Sequence, residues 1–184
     1  MRVALKSAGD AFVVRRGKDG LTLLAGYPWF TDSGRGALIA LPGLLLTTKR
    51  FEEARRVMMT FAKHCDHGLI PNLFSDAGKP SYNAVDASLW FIVAAWKYWK
   101  TSRDNKGIGE LLPTLREIIG CYREGTDSDI RADTDGLISA GTAGSQLTWM
   151  DIKLEGYVPT PRHGKPVEIN ALWFNALLML AELE

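Results

Sequence analysis

The pattern of hydrophobic and polar positions divides the chain into a short β-favouring start and a longer helical remainder. Residues 11–15 and 21–24 favour β-strands, and the segment 17–20, Gly-Lys-Asp-Gly, supplies turn chemistry between them. This pattern predicts a β-hairpin lead-in within residues 1–25. Farther on, apolar residues recur every three or four positions, which predicts helices over 37–47, 50–65, 84–101, 108–124 and 168–183.

The predicted helix at 84–101 differs from its neighbours because it is apolar on nearly all sides. One stripe contains Val85, Leu89 and Ile92, and aromatic and aliphatic residues fill the remaining faces. Such a helix is buried all round. The helices at 50–65 and 108–124 have a single apolar face, and Pro113 is expected to start or kink the second of them. The pattern predicts an all-α fold with two layers of helices and one minor hairpin.

Composition excludes several functional classes. The 184 residues carry 22 Lys and Arg against 21 Asp and Glu, so bulk charge does not favour nucleic-acid binding. No apolar run reaches the ~18 residues that span a bilayer, which predicts no membrane partner and a cytoplasmic location. Cys65 and Cys121 fall in predicted helices and are interpreted as reduced, mostly buried thiols. Nucleotide-binding and serine-hydrolase motifs are absent, and no cofactor is expected.

The long loops at 66–83 and 125–167 are the expected location of function, since connections of this length are seldom plain linkers. Their strongest signal is Gln-Leu-Thr-Trp-Met-Asp at 146–151. A carboxylate such as Asp151 beside Trp149 can be partly desolvated and hold a proton for general acid catalysis. The alternative is that Asp151 caps a short helix and Trp149 is a core residue.

Aromatic residues precede a glycine-rich turn in the first third of the chain. Tyr27 and Trp29 could form a stacking wall, with the guanidinium of Arg35 as a donor to hydroxyl groups. The alternative is an aromatic anchor at the edge of the core.

Three further signals also have structural explanations. Asn83 and Asp86 are candidate ligand residues, or an N-cap and a first-turn acid at the start of the buried helix. Glu168 and Asn170 open the last helix and could equally be caps. The sequence His-Cys-Asp-His at 64–67 invites a metal site, but histidines at a helix end explain it, so no metal is expected.

Taken together and in order, six segments resemble the C-terminal glucosidase domain of glycogen debranching enzymes, of the amylo-α-1,6-glucosidase type. They lie at 25–30, 39–44, 68–72, 82–91, 146–151 and 164–173. The resemblance covers essentially the whole chain and implies an (α/α)6 toroid of twelve helices. With about five predicted helices, residues 1–184 are expected to be a single partial domain, the first half of the barrel.

The resemblance also implies a mechanism and a set of site residues. Hydrolysis in the family inverts the anomeric centre, with an acid that maps onto Asp151 and a base that lies farther downstream and matches no residue here. The implied substrate-binding residues are Tyr27, Trp29, Arg35, Asn83, Asp86, Trp149, Glu168 and Asn170. The implied partner is a branched α-glucan.

One segment departs from the family pattern. Where the family usually has Trp-Gly-Arg-Asp, this chain has Ser33, Gly34, Arg35 and Gly36, so a carboxylate next to the arginine is missing. Two hypotheses therefore stand. The chain is part of an α-1,6-glucosidase that is inactive alone, or it is a non-catalytic glucan-binding or protein-interaction remnant. Nearly all-apolar helices at 85–96 and 171–181 predict an exposed apolar seam and self-association.

Overall fold

The computed structural model of the chain describes residues 2–27, 29–75 and 79–184. Across these ranges it contains six α-helices: α1 (Arg2–Asp10), α2 (Gly34–Leu41), α3 (Phe51–Ala62), α4 (Val85–Ser102), α5 (Asn105–Glu124) and α6 (Val167–Leu183). A π-helical turn, Pro42–Leu46, continues α2. About half of the chain is helical. The helical content is compatible with a helical glycosidase domain.

Short antiparallel strands complete the fold in the described ranges. They are β1 (Val13–Arg16), β2 (Gly20–Gly26), β3 (Phe30–Asp32), β4 (Leu73–Phe74), β5 (Pro80–Ser81), β6 (Arg131–Ala132) and β7 (Ile138–Ser139). The predicted hairpin is confirmed as β1 paired with β2, and β2 also pairs with β3. The other strands form two small ladders, so the description as helices with one hairpin is incomplete.

The first helix corrects the predicted hairpin lead-in at residues 1–25. Residues 2–10 form α1 rather than an extended approach to β1. Ala, Lys and Leu in this segment favour helix, and its apolar positions lie on one face. The helix was missed because it is only nine residues long and has no cap signal at its start.

Helix α4 lies at the centre of the core, as its all-round apolar pattern predicts. Leu89, Phe91, Ile92 and Ala95 are fully buried. The helix packs against α2, α3, α5 and α6, which form a helical layer around it. This burial contradicts an exposed seam at 85–96. On α6, by contrast, Phe174 and Leu178 are exposed, so the predicted apolar surface is confirmed there.

Side-chain caps move two helix starts upstream of their predicted positions. Helix α2 begins at Gly34 instead of 37 because the Ser33 hydroxyl accepts a hydrogen bond from the Gly36 N–H. Helix α5 begins at Asn105 because the Asp104 carboxylate accepts one from the Gly107 N–H. Pro113 therefore lies inside α5 rather than at its start. The earlier start of α2 places Arg35 in its first turn.

Both cysteines are free thiols, in agreement with the sequence analysis. Cys121 lies inside α5, but α3 ends at Ala62, so Cys65 follows that helix instead of belonging to it. Burial, with a smaller contribution from Glu117, raises the pKa of Cys65 to about 12. The Cys65 thiol is therefore protonated and unreactive at neutral pH.

Candidate active site

A buried ion pair joins the first turns of α2 and α4. The Arg35 guanidinium donates from Nε to Asp86 Oδ2 at 2.6 Å and from Nη2 to Asp86 Oδ1 at 2.9 Å. The Arg35 side chain is 15% exposed and that of Asp86 only 3%. Two parallel charge-assisted hydrogen bonds fix both the position and the plane of the guanidinium. Asp86 is thus a partner of Arg35 and not simply a first-turn acid.

The ion pair shows that Arg35 has a carboxylate partner even though position 36 is a glycine. Because the aspartate of the family pattern is absent next to Arg35, the sequence predicts an arginine without a carboxylate partner. In the structure, Asp86 supplies that carboxylate from α4. A Cβ atom at position 36 would meet its nearest neighbour, Ala25 Cβ, at 3.5 Å, an ordinary contact. A Cβ atom at position 36 is therefore accommodated without a clash.

Asp151 lies on the other side of the same guanidinium. Its Oδ2 is 3.6 Å from Arg35 Nη1, and its side chain is 44% exposed. The loop that carries it is held at the start of α4, where the Val85 N–H donates to the Leu147 carbonyl at 2.7 Å and Thr148 is buried. Asp151 caps no helix, so that alternative is wrong. Two carboxylates thus flank Arg35, one buried and fully engaged, the other open to solvent.

A second cluster forms where this loop meets the start of α6. Trp149 Nε1 donates to Glu168 Oε1 at 3.3 Å, and Arg162 Nη1 donates to the same oxygen at 2.7 Å. The Arg162 guanidinium lies 5.0 Å from the centre of the Trp149 ring, a cation–π distance. Trp149 is half-exposed, so it is not a core residue. Glu168 does not cap α6, whose N-cap is Pro166.

Asn83 and Asn170 take part in local hydrogen bonds. Asn170 uses its amide internally: Oδ1 accepts from the Ile138 N–H, and Nδ2 donates to the Ile138 and Pro166 carbonyls. Asn83 Oδ1 accepts from the Asn72 amide at 3.2 Å, and the Asn83 side chain caps no helix, since the N-cap of α4 is Ala84. Both alternative readings as caps are therefore wrong.

Tyr27 and Trp29 lie between β2 and β3, and the intervening Pro28 is outside the described residues. Trp29 is 84% exposed and Tyr27 57%, which excludes an anchor at the edge of the core. In the described part of the chain, neither side chain hydrogen-bonds to Arg35, Asp86 or Asp151. The structure does not join these aromatics to the two clusters.

Arg162 was not among the predicted site residues, although it lies in the long loop at 125–167 where function was expected. Arg162 Nε and Gln146 Nε2 are buried, and within residues 2–27, 29–75 and 79–184 they have no hydrogen-bond partner. Buried donors without partners are uncommon and are suited to receiving a polar ligand. Both residues lie in the long segment between α5 and α6, which has no helical or strand periodicity from which to predict this role.

A cavity beside α3 lies away from both clusters. Its volume is about 510 Å³, and it is lined by the β1–β2 turn and by residues of α3, with none of the nine predicted site residues. The Arg35–Asp86 pair is mostly buried, whereas Asp151 and Trp149 are about half-exposed. Among the described residues, no helix combines the length and the apolar character needed to cross a bilayer.

The helical content is that of a helical domain and is compatible with the helical glycosidases. The sequence profile of the amylo-alpha-1,6-glucosidase family matches residues 7–184, and the chain belongs to that family. It is also similar to the glycogen debranching enzyme of Saccharomyces cerevisiae, with 44% identity over 82 residues. That match covers 42% of this chain and 5% of the yeast enzyme, so the matched segment is a small part of the relative's length. The family resemblance stated from the six segments is confirmed.

Replacing Asp86 with alanine is expected to lower the free energy of unfolding by about 3 kcal/mol, because it leaves the Arg35 charge buried without its partner. The matched control is Glu52→Ala, which breaks an exposed pair with Arg55 and should cost less than about 0.5 kcal/mol. Chemical denaturation measures both. The double variant Arg35→Met/Asp86→Leu should recover part of the loss, and an Asp86→Ala variant as stable as the control would contradict the buried pair.

Proposed function

We propose that the chain forms part of an α-1,6-glucosidase that releases glucose from the branch points of an α-glucan. The observation that carries the proposal is the position of Asp151 next to the Arg35–Asp86 pair in a chain of the amylo-alpha-1,6-glucosidase family. The name of the yeast relative, a glycogen debranching enzyme, supports the same substrate class.

Asp151 is proposed as the general acid. Asp86 is buried and bound through both oxygens to Arg35, so it cannot exchange protons with a substrate. Asp151 is exposed and free to approach a glycosidic oxygen. In the proposed step, the Asp151 carboxyl proton moves to that oxygen as its bond to the anomeric carbon breaks. Water attacks the opposite face and loses a proton to a base, which gives β-glucose by inversion.

The base is proposed to come from outside the 184 residues. In an inverting enzyme the two carboxyl groups stand ~6.5–9.5 Å apart, with the water and the sugar between them. Asp86 cannot act as the base because both of its oxygens already accept hydrogen bonds from Arg35. We therefore infer that the chain supplies the acid side of the site and half of an (α/α)6 toroid. The exposed α6 face around Phe174 and Leu178 is then covered by the remaining helices or by a second copy.

The remaining site residues are proposed to bind and orient the sugar. Trp149 offers an exposed ring face for stacking on a pyranose, held by Glu168 and Arg162. Tyr27 and Trp29 are proposed as an outer wall that contacts a longer glucan. Asn83 is exposed enough to bind a hydroxyl through its amide, whereas Asn170 positions the loop before α6.

The second candidate function is a non-catalytic glucan-binding module on the same scaffold. It is favoured by Gly36 and Ser33, which replace the acid and the aromatic residue of the family pattern. Ser33 has a structural role here as the cap of α2. Glucan binding without activity after the barrel is completed would support this candidate over the enzyme.

The test of catalysis is glucose release from a branched glucan. The 184-residue chain alone is expected to be inactive, because the base is proposed to lie outside it. Adding the C-terminal part of a homologous glucosidase domain should restore release, and Asp151→Asn should then reduce it by about 10²-fold or more, the usual contribution of a general acid. The control is Glu155→Gln, which removes a carboxyl group from the same exposed loop and should leave the rate unchanged. Activity of the chain alone that survives Asp151→Asn would contradict the assignment.

Restoring the missing carboxylate should strengthen sugar binding. Gly36→Asp adds an acceptor one residue from Arg35, at a position where a Cβ atom makes only ordinary contacts, and is expected to tighten isomaltose binding by about tenfold, equivalent to one hydrogen bond. Gly36→Ala fills the same space without an acceptor and serves as the control. Titration calorimetry measures both, and equal affinities for the two variants would contradict a sugar site beside Arg35.

A further inference from the structure

The cavity of about 510 Å³ beside α3 has no role in the proposed reaction. The β1–β2 turn forms one wall, the exposed face of α3 forms the other, and Met59 and Thr60 lie between them. The turn is fixed against α3 because the Leu21 N–H donates to Thr60 Oγ1 at 3.1 Å and Arg56 Nη2 donates to the Asp19 carbonyl at 3.0 Å. These hydrogen bonds hold the walls of the cavity in place. Its volume is within the usual range of small-molecule sites.

The charges that line the cavity are not balanced. Among the described residues that line it, five are Lys or Arg and two are Asp or Glu. Arg16 is neutralised by the buried carboxylate of Asp32, with Nε to Oδ2 at 2.6 Å. Arg55 is neutralised by Glu110 at 2.6 Å and by Glu52. The charges of those two arginines are therefore balanced by carboxylates of the chain itself.

Three cations remain without a carboxylate partner among residues 2–27, 29–75 and 79–184. They are Lys18 in the β1–β2 turn, Arg56 on α3, and Lys63, which directly follows α3. Arg56 uses a single N–H for the Asp19 carbonyl, which leaves its other donors available. Asp19 is the remaining acidic group of the cavity, so an excess of two positive charges is left in it.

The chemistry of the lining favours a phosphate over a neutral sugar or a carboxylate. Two lysines and an arginine match the dianionic charge and the three acceptor oxygens of a phosphomonoester. No Trp, Tyr or Phe lines the cavity in the described part of the chain, so a stacking platform for a neutral sugar is missing. His64 also lines the cavity. Its Nδ1 lies 2.8 Å from the Thr60 carbonyl oxygen, and because that oxygen only accepts hydrogen bonds, Nδ1 carries the hydrogen. The other ring nitrogen, Nε2, remains available to a ligand.

We propose that this cavity is a second site, separate from the glucosidase site, that binds a small phosphomonoester. The phosphate lies among Lys18, Arg56 and Lys63, and the organic part of the ligand lies against Met59. A hexose phosphate has the size and the charge that the cavity fits, whereas inorganic phosphate leaves most of the volume empty.

Titration calorimetry on the 184-residue chain tests the proposal with glucose 6-phosphate as the probe. Glucose 6-phosphate is expected to bind more tightly than inorganic phosphate or glucuronate, glucose is expected not to bind at this site, and added salt should weaken the binding. Lys18→Ala and Lys63→Ala should each weaken it by about fivefold, the loss expected for one charge-assisted contact. Lys97→Ala, which removes an exposed lysine from α4, is the charge-matched control and should change nothing.

Amide chemical shifts locate the site independently of affinity. Binding should move the resonances of residues 17–20 and of the end of α3, and should leave those around Arg35 and Asp151 in place. Unchanged affinity in the Lys18→Ala/Lys63→Ala double variant, affinity for inorganic phosphate equal to that for glucose 6-phosphate, or shifts confined to the Arg35 region would each overturn the proposal. None of these outcomes depends on glucosidase activity.

Discussion

The buried ion pair between Arg35 and Asp86 is the interaction on which the rest of the candidate site depends. It connects two helix starts that are 51 residues apart in the sequence and holds one guanidinium in a fixed plane. Desolvating both charges costs free energy that the two hydrogen bonds offset only in this geometry. That geometry also leaves the third nitrogen, Nη1, directed toward the loop of Asp151. The ion pair thus fixes the guanidinium beside which the proposed acid lies.

The two carboxylates beside Arg35 have different roles because their surroundings differ. Asp86 lies in the first turn of the central helix and is almost fully buried, so it is a fixed structural anion. Asp151 lies in a loop that is tied to the same helix through the Leu147 carbonyl and is open on one side. A rigid helix start thereby supports a more accessible chemical group, which is a common arrangement in enzymes. The phosphate site proposed beside α3 shares no lining residue with this pair of carboxylates.

The sequence predicts local features of this fold better than its long-range contacts. The central position of α4 follows from its all-round apolar pattern, and its buried residues agree with that prediction. The pairing of Arg35 with Asp86 depends instead on how α2 packs against α4, which no local pattern encodes. The glycine at position 36 therefore suggested that Arg35 has no carboxylate partner, whereas Asp86 pairs with Arg35 from another helix. Arg162 was missed for the same reason, because its contacts with Trp149 and Glu168 form only when the loop folds back on α6.

The central claim is that Arg35, Asp86 and Asp151 form the glucose-binding and acid side of a glucosidase site. The most direct measurement is a crystal structure of the chain with isomaltose. We expect the non-reducing glucose beside Arg35, with an Asp151 oxygen within hydrogen-bond distance of the glycosidic oxygen and the Arg35–Asp86 pair intact. Isomaltose bound elsewhere on the chain, or bound with Asp151 turned away from the glycosidic oxygen, would contradict the account.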